Sequence, residues 1–123
     1  MKYLQDYMEE KQTRLLKQTG SFFAFSQEQL TEQAKPKTKY VNMGGGLITE
    51  KPNVKKVING MDKIYRTAIQ EDIKENGINK IILRELINHE AFYVGDIEDT
   101  KEKLIDYPVT EEHIIKIYRA NYE

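Results

Sequence analysis

The sequence predicts an α+β fold, a small antiparallel three-stranded sheet packed against several helices, with a helix-rich C-terminal half. Three observations predict it. Apolar residues recur at helical spacing over residues 2–18, 53–76, 78–87 and again after Thr110. Between the first two of these runs lie three short β-favouring pieces, residues 21–26, 39–43 and 47–49. The last two flank three consecutive glycines, Gly44, Gly45 and Gly46, which invite a hairpin. At 123 residues the chain fits a single α+β domain, 1–123, with a core that needs no disulfide or metal staple.

Each element has its own signal. The first helix carries Tyr3, Leu4, Tyr7, Met8, Leu15 and Leu16, and Gly20 stops it. In SFFAFS (21–26) alternation puts Phe23 and Phe25 on one face of a strand and Phe22 with Ala24 on the other. Ser26 followed by Gln29 forms a capping box for a short helix over QEQLTEQ, and Lys35-Pro36-Lys37 breaks it. Pro52 and Asn53 open the longest helix. Its stripe is Val54, Val57, Ile58, Met61, Ile64, Tyr65, Ala68, Ile69 and Ile73, and Gly77 closes it. Gly60, inside that helix, is expected where another element packs closely or the helix bends. Ile78, Ile81, Ile82, Leu83, Leu86 and Ile87 mark a buried helix running into NHEAFYVGD, broken at Gly95. Asp96 and Asp99 open a helix to about Asp106, and Thr110 caps a last one holding Ile114, Ile115, Ile117 and Tyr118.

Composition narrows the function classes. There is no cysteine, which excludes disulfides, thiolate metal sites and thiol nucleophiles. No apolar h-region opens the chain and no run approaches the ~18 apolar residues of a membrane span, so a soluble cytoplasmic protein with no membrane partner is expected. Residues 1–66 hold 12 Lys and Arg against 7 Asp and Glu, a balance of +5, whereas residues 67–123 hold 7 against 13, a balance of −6. The overall basic footprint of a sequence-specific nucleic-acid binder is missing. The opposed halves, with eight Tyr and four Phe in so short a chain, point instead to a homo-oligomer.

The chemistry-bearing residues fall in two stretches. Gly44, Gly45 and Gly46 either make a tight turn or let backbone N–H groups approach an anion. They lead into a strand, not a helix, so the dinucleotide fingerprint fails. Lys51, Lys55 and Lys56 crowd the start of the longest helix, where the macrodipole favours an anion. Lys37 and Lys39 precede the hairpin, and together these lysines are placed to surround a phosphate. The candidate ligand-binding set is therefore Tyr40, Asn42, Gly44, Gly45, Gly46, Lys51, Lys55, Lys56, His89 and Tyr93. In NHEAFYVGDIED (88–99), His89 and Glu90 resemble half a zinc-protease helix, but position 93 is Tyr where the second histidine is required. No metal, cofactor or catalytic set is expected.

FFAFS, YVNMGGGLI and NHEAFYVGDIEDT together resemble a family of small uncharacterised proteins from phages and mobile elements, over nearly the whole chain. That resemblance carries over no catalytic residues. It implies a setting of counter-defence, in which such proteins act as sponges for nucleotide immune signals such as cyclic nucleotides and ADP-ribose derivatives. The leading expectation is thus a non-enzymatic module that sequesters a small nucleotide without turnover. The alternative is an inhibitor whose acidic half (Glu90, Asp96, Glu98, Asp99, Glu102, Asp106, Glu111, Glu112) engages a basic host protein. A third is a small nucleotide hydrolase using His89 and Glu90.

Overall fold

The computed structural model describes residues 1–122. It has an α+β fold, 66% helical, and divides into two compact units. The first, Tyr3–Ala68, holds α1 (Leu4–Gln18), β1 (Phe22–Phe23), α2 (Gln27–Gln33), β2 (Tyr40–Gly44), β3 (Leu47–Glu50), a 3-10 turn at Lys51–Asn53, and residues 54–68 of α3 (Val54–Asn76). The second comprises Met1–Lys2 and the chain from Ile69 onward. It holds the end of α3, then α4 (Ile78–Asn88), α5 (Ala91–Val94), α6 (Glu98–Lys103) and α7 (Glu111–Asn121).

In the N-terminal unit α1 begins where the Asp6 carboxylate accepts the Tyr3 N–H at 2.8 Å. It ends at Thr19, whose N–H returns to the Leu15 carbonyl while Ser21 returns to Leu16. Its Leu4, Tyr7 and Leu15 are buried. Gly60 explains how closely α1 lies on α3, because a Cβ there would stand 2.7 Å from Leu15 Cδ2. The sheet is antiparallel throughout, in the order β1-β3-β2. A hydroxyl chain ties it to the end of α1: Thr19 to Ser21 at 2.8 Å, then Ser21 to Thr49 at 3.0 Å.

Two expectations are corrected here. The strand foreseen over 21–26 is confined to Phe22–Phe23, with one further backbone bond from the Ala24 N–H to the Gly46 carbonyl at 2.8 Å. The chain bends beyond it because Ser26 Oγ accepts the Gln29 N–H while Gln29 Oε1 accepts the Phe25 N–H at 2.7 Å, committing the segment to α2. Ile58 is 54% exposed, whereas Val57, one residue or about 100° round the helix, is 1% exposed and belongs to the core with Ala68.

In the C-terminal unit α4 is the central helix and packs against α5, α6 and α7. Its Ile81, Ile82 and Leu86 are fully buried, with Ala91, Leu104, Tyr107 and Ile114 around them. Thr110 caps α7 as expected, its hydroxyl accepting the His113 N–H at 3.1 Å. Residues 88–106 depart from the expected pattern. Glu90 takes a positive φ of 54°, which ends α4 and leaves α5 a single turn closed by Gly95. The helix after it stops at Lys103, short of Asp106. Asp96 precedes that helix by two residues and folds back on it, Oδ1 accepting the Glu98 N–H at 2.9 Å.

These burial differences are testable at two adjacent positions. Val57→Asp puts a carboxylate without a partner into the core, at a cost of several kcal/mol, comparable with the stability of a small domain. A lost or strongly lowered thermal transition is expected in circular dichroism. Ile58→Asp is expected to move stability by less than ~0.5 kcal/mol.

Candidate functional site

The glycine stretch is a two-residue hairpin loop. Gly44 pairs with Leu47, leaving Gly45 and Gly46 as the turn, with φ of 59° and 82°. Positive φ at both central residues is the type I′ signature, whose twist matches that of the flanking strands. A bulge lies between Asn42 and Gly44, and the Asn42 side chain accepts the Gly44 N–H at 2.9 Å. Phe25 packs onto Gly46, where it would clash with any Cβ. The rings of Phe23 and Phe25 stack with centroids 6.1 Å apart, and both are exposed.

The opposite end of the hairpin is basic. Lys37, Thr38, Lys39, Glu50, Lys51 and Pro52 line an open groove of about 710 Å³. The ladder continues one step past Tyr40 and Glu50, because the Lys51 N–H donates to the Lys39 carbonyl at 2.9 Å. That bond sets two lysines side by side. Lys37 brings the third from a turn in which its φ is 62°, a region L-residues enter at a cost of ~1 kcal/mol. The only acidic residue lining this groove is Glu50, and its oxygens are engaged: Oε2 accepts from Asn53 Nδ2 at 3.2 Å, and Oε1 lies 3.9 Å from Lys35 Nζ. Gly20 makes room for that carboxylate, since a Cβ there would collide with it. Tyr40 is half-buried at the same end; its OH accepts the Lys35 N–H at 2.9 Å and Phe22 meets its ring edge-on at 5.5 Å.

The candidate residues therefore sort into separate places. Gly44, Gly45, Gly46 and Asn42 form the turn, and Tyr40 and Lys51 stand at the other end of the two strands. The spacing is about 10 Å, from three steps of 3.3–3.4 Å along β3. Lys55 and Lys56 are exposed in the first turn of α3 and do not line the groove. His89 and Tyr93 belong to the C-terminal unit. His89 closes α4, its N–H returning to the Glu85 carbonyl at 3.0 Å, and Tyr93 is 91% exposed on α5. Among the described residues no group of three or more His, Asp or Glu is placed to hold a metal ion, and no helix is long and apolar enough to cross a membrane.

The C-terminal unit holds a buried polar network absent from the expected set. Asp72 is fully buried and accepts both Arg84 Nη1 (2.8 Å) and Nη2 (2.9 Å), Tyr107 OH (2.5 Å) and Asn76 Nδ2 (2.8 Å). Arg84 Nη1 also donates to the Lys2 carbonyl at 2.9 Å, and its Nε lies 3.7 Å from the buried carboxylate of Glu85. Burial alone would push the Asp72 carboxyl up, but its bonds from Arg84, Tyr107 and Asn76 outweigh this and hold it below the ordinary value. Burial, reinforced by the bond to Asp72, pushes the Tyr107 phenol well above its ordinary 10.0. A sequence signal for the network does exist. Asp72 stands three residues after Ile69 on the buried face of α3, and Arg84-Glu85 interrupts an otherwise apolar run from Ile81 to Leu86.

Residues 4–122 match one known family over almost their whole length. The chain belongs to a family of unknown function (DUF7659). No curated protein and no solved structure matches it. Membership of DUF7659 agrees with the uncharacterised family expected from the sequence.

In this DUF7659 chain the buried network ranks three substitutions. Tyr107→Phe removes one hydrogen bond to a charged acceptor, about 1.5–3 kcal/mol. Arg84→Met strands Asp72 and Glu85 as buried carboxylates and costs at least about 3–5 kcal/mol. Asp72→Asn falls between them in urea denaturation. The pH dependence has a definite sign. Because the folded-state pKa of Tyr107 is raised, its contribution is present below the ordinary tyrosine value and lost as pH rises past it. The stability gap between wild type and Tyr107→Phe therefore narrows above pH ~10.

Proposed function

We propose that the protein is a non-catalytic binding module that sequesters a phosphate-bearing nucleotide, in the counter-defence setting that its motifs resemble. The observation that carries this reading is the groove at the open end of the hairpin. Three lysines converge there on a space large enough for a nucleotide, against one carboxylate already engaged by Asn53 and Lys35. Lysine ammonium groups act as point charges for phosphate, and their aliphatic stems with Pro52 offer an apolar wall for a sugar or base. Ligand pockets of this size range hold small molecules. With Glu50 occupied in holding the groove together, the arrangement suits capture and not acid–base turnover. The reading implies the host cytoplasm as the compartment, and a homo-oligomer as the working form.

Calorimetric titration with a panel of cyclic and ADP-ribose-type nucleotides at two salt concentrations tests it. Wild type is expected to bind one class with an affinity that falls with salt, since exposed charges are screened over about 10 Å at 0.1 M. Charge reversal at Lys37, Lys39 and Lys51 is expected to lower affinity at least tenfold in a protein that still melts normally, whereas Lys55→Glu with Lys56→Glu leaves it within about threefold. Nucleotide released by heating is expected intact; a hydrolysed product indicates an enzyme. Heat from no nucleotide, or equal affinity in the groove variant, ends the proposal.

A further inference from the structure

The two units differ in charge and each exposes large apolar side chains. Tyr3–Ala68 carries 11 Lys and Arg against 7 Asp and Glu, a balance of +4. Met1–Lys2 with the chain from Ile69 carries 8 against 13, a balance of −5. On the basic unit, the stacked rings of Phe23 and Phe25 are 49% and 74% exposed beside the open turn at Gly44 and Gly45. On the acidic unit Ile87, Tyr93 and Val94, within eight residues of one another at the α4–α5 corner, are 60%, 91% and 59% exposed. Glu90, Asp96, Glu98 and Asp99 surround that corner in sequence. Isolated exposed apolar side chains need no explanation, but a stacked pair, and three large exposed side chains this close in sequence, offer anchors for an interaction surface.

We infer that the Phe23–Phe25 patch of one copy docks on the Ile87–Tyr93–Val94 patch of a second copy of this chain. The net charge of the whole units selects the occupant. Pairing either patch with its own counterpart in a second copy brings like-charged units together, whereas pairing it with the other patch brings +4 against −5. Aromatic rings supply the anchors that such interfaces favour. The contact is heterologous, one surface meeting a different one, so it builds a ring if the rotation closes and a linear assembly if it does not. This goes beyond the nucleotide reading and does not depend on it, because the lysine groove lies at the other end of the hairpin from Phe23 and Phe25.

Light scattering on the nucleotide-free full chain tests it with two exposed substitutions, Phe25→Asp and Tyr93→Asp. Wild type is expected to exceed the monomer mass of 14.5 kDa increasingly from micromolar to submillimolar concentration, and less so at high salt. Each variant alone is expected to stay at 14.5 kDa with an unchanged circular-dichroism melt. Mixing the variants is the decisive step. Each keeps the one intact patch that the other lacks, so the mixture is expected to reach twice 14.5 kDa and stop there. Wild type that remains at the monomer mass overturns the inference. So does an assembly that either substitution leaves intact, or a mixture that fails to recover the dimer.

Discussion

The constraint on which the C-terminal unit most depends is the bidentate pair between Asp72 and Arg84. A carboxylate and a guanidinium are withdrawn from water together, which is tolerable only when their remaining valences are met. Most are met by neighbours from several segments, Tyr107, Asn76 and the Lys2 carbonyl, while Arg84 Nε faces the Glu85 carboxylate at 3.7 Å without a hydrogen bond. The pair and its partners come from the start of the chain, the end of α3, α4 and the segment after α6, so one charge pair fixes where these stand relative to one another. Apolar packing by Ile81, Ile82 and Leu86 supplies the driving force of burial, but it is non-directional. The pair supplies direction, because guanidinium and carboxylate meet in one fork-to-fork geometry.

The N-terminal unit solves the same problem with neutral groups. Thr19, Ser21 and Thr49 pass hydroxyl hydrogen bonds from the end of α1 to the centre of the sheet, and Asn53 adds a bond from the 3-10 turn before α3 to the Thr19 carbonyl. Asn53 also holds Glu50, and through Glu50 it sets the floor of the lysine groove. The groove thus rests on the joint between sheet and helix. Its lysines stay exposed while its carboxylate is drawn inward, which leaves an excess of positive potential facing solvent.

Most of the architecture was legible because it follows from period and punctuation. The 3.6-residue stripes located the long helices, Ser26 and Thr110 announced caps that the structure uses, and the alternation in SFFAFS correctly separated Phe22 from Phe23 and Phe25. The structure departs from the pattern where a local bond competes with it. Gln29 reaches back to Phe25 and shortens β1, and Glu90 enters the left-handed region and stops a helix whose apolar spacing runs on. The buried network is illegible in the sequence for a different reason. Asp72 and Arg84 are twelve residues apart on different helices, and a one-dimensional reading sees each as a polar blemish on an apolar face. Only the fold brings the two blemishes together, where they cancel.

The candidate site was partly legible for a related reason. Three adjacent glycines suggested one purpose, yet the structure gives each its own. Gly44 follows the bulge with a φ of 98°, Gly45 takes the first left-handed position of the turn, and Gly46 must both take the second and leave room for the Phe25 ring. These demands are local, and together they account for the whole run without a ligand. The lysines are different, because the turn does not require Lys37, Lys39 or Lys51. Folding sets Lys39 beside Lys51 through a backbone bond and aims Lys37 from a conformation that disfavours its own residue type, so like charges are gathered against their mutual repulsion. In the function proposed above an anion neutralises that gathered charge, and the proposal rests on the lysine end of the hairpin rather than on its glycines.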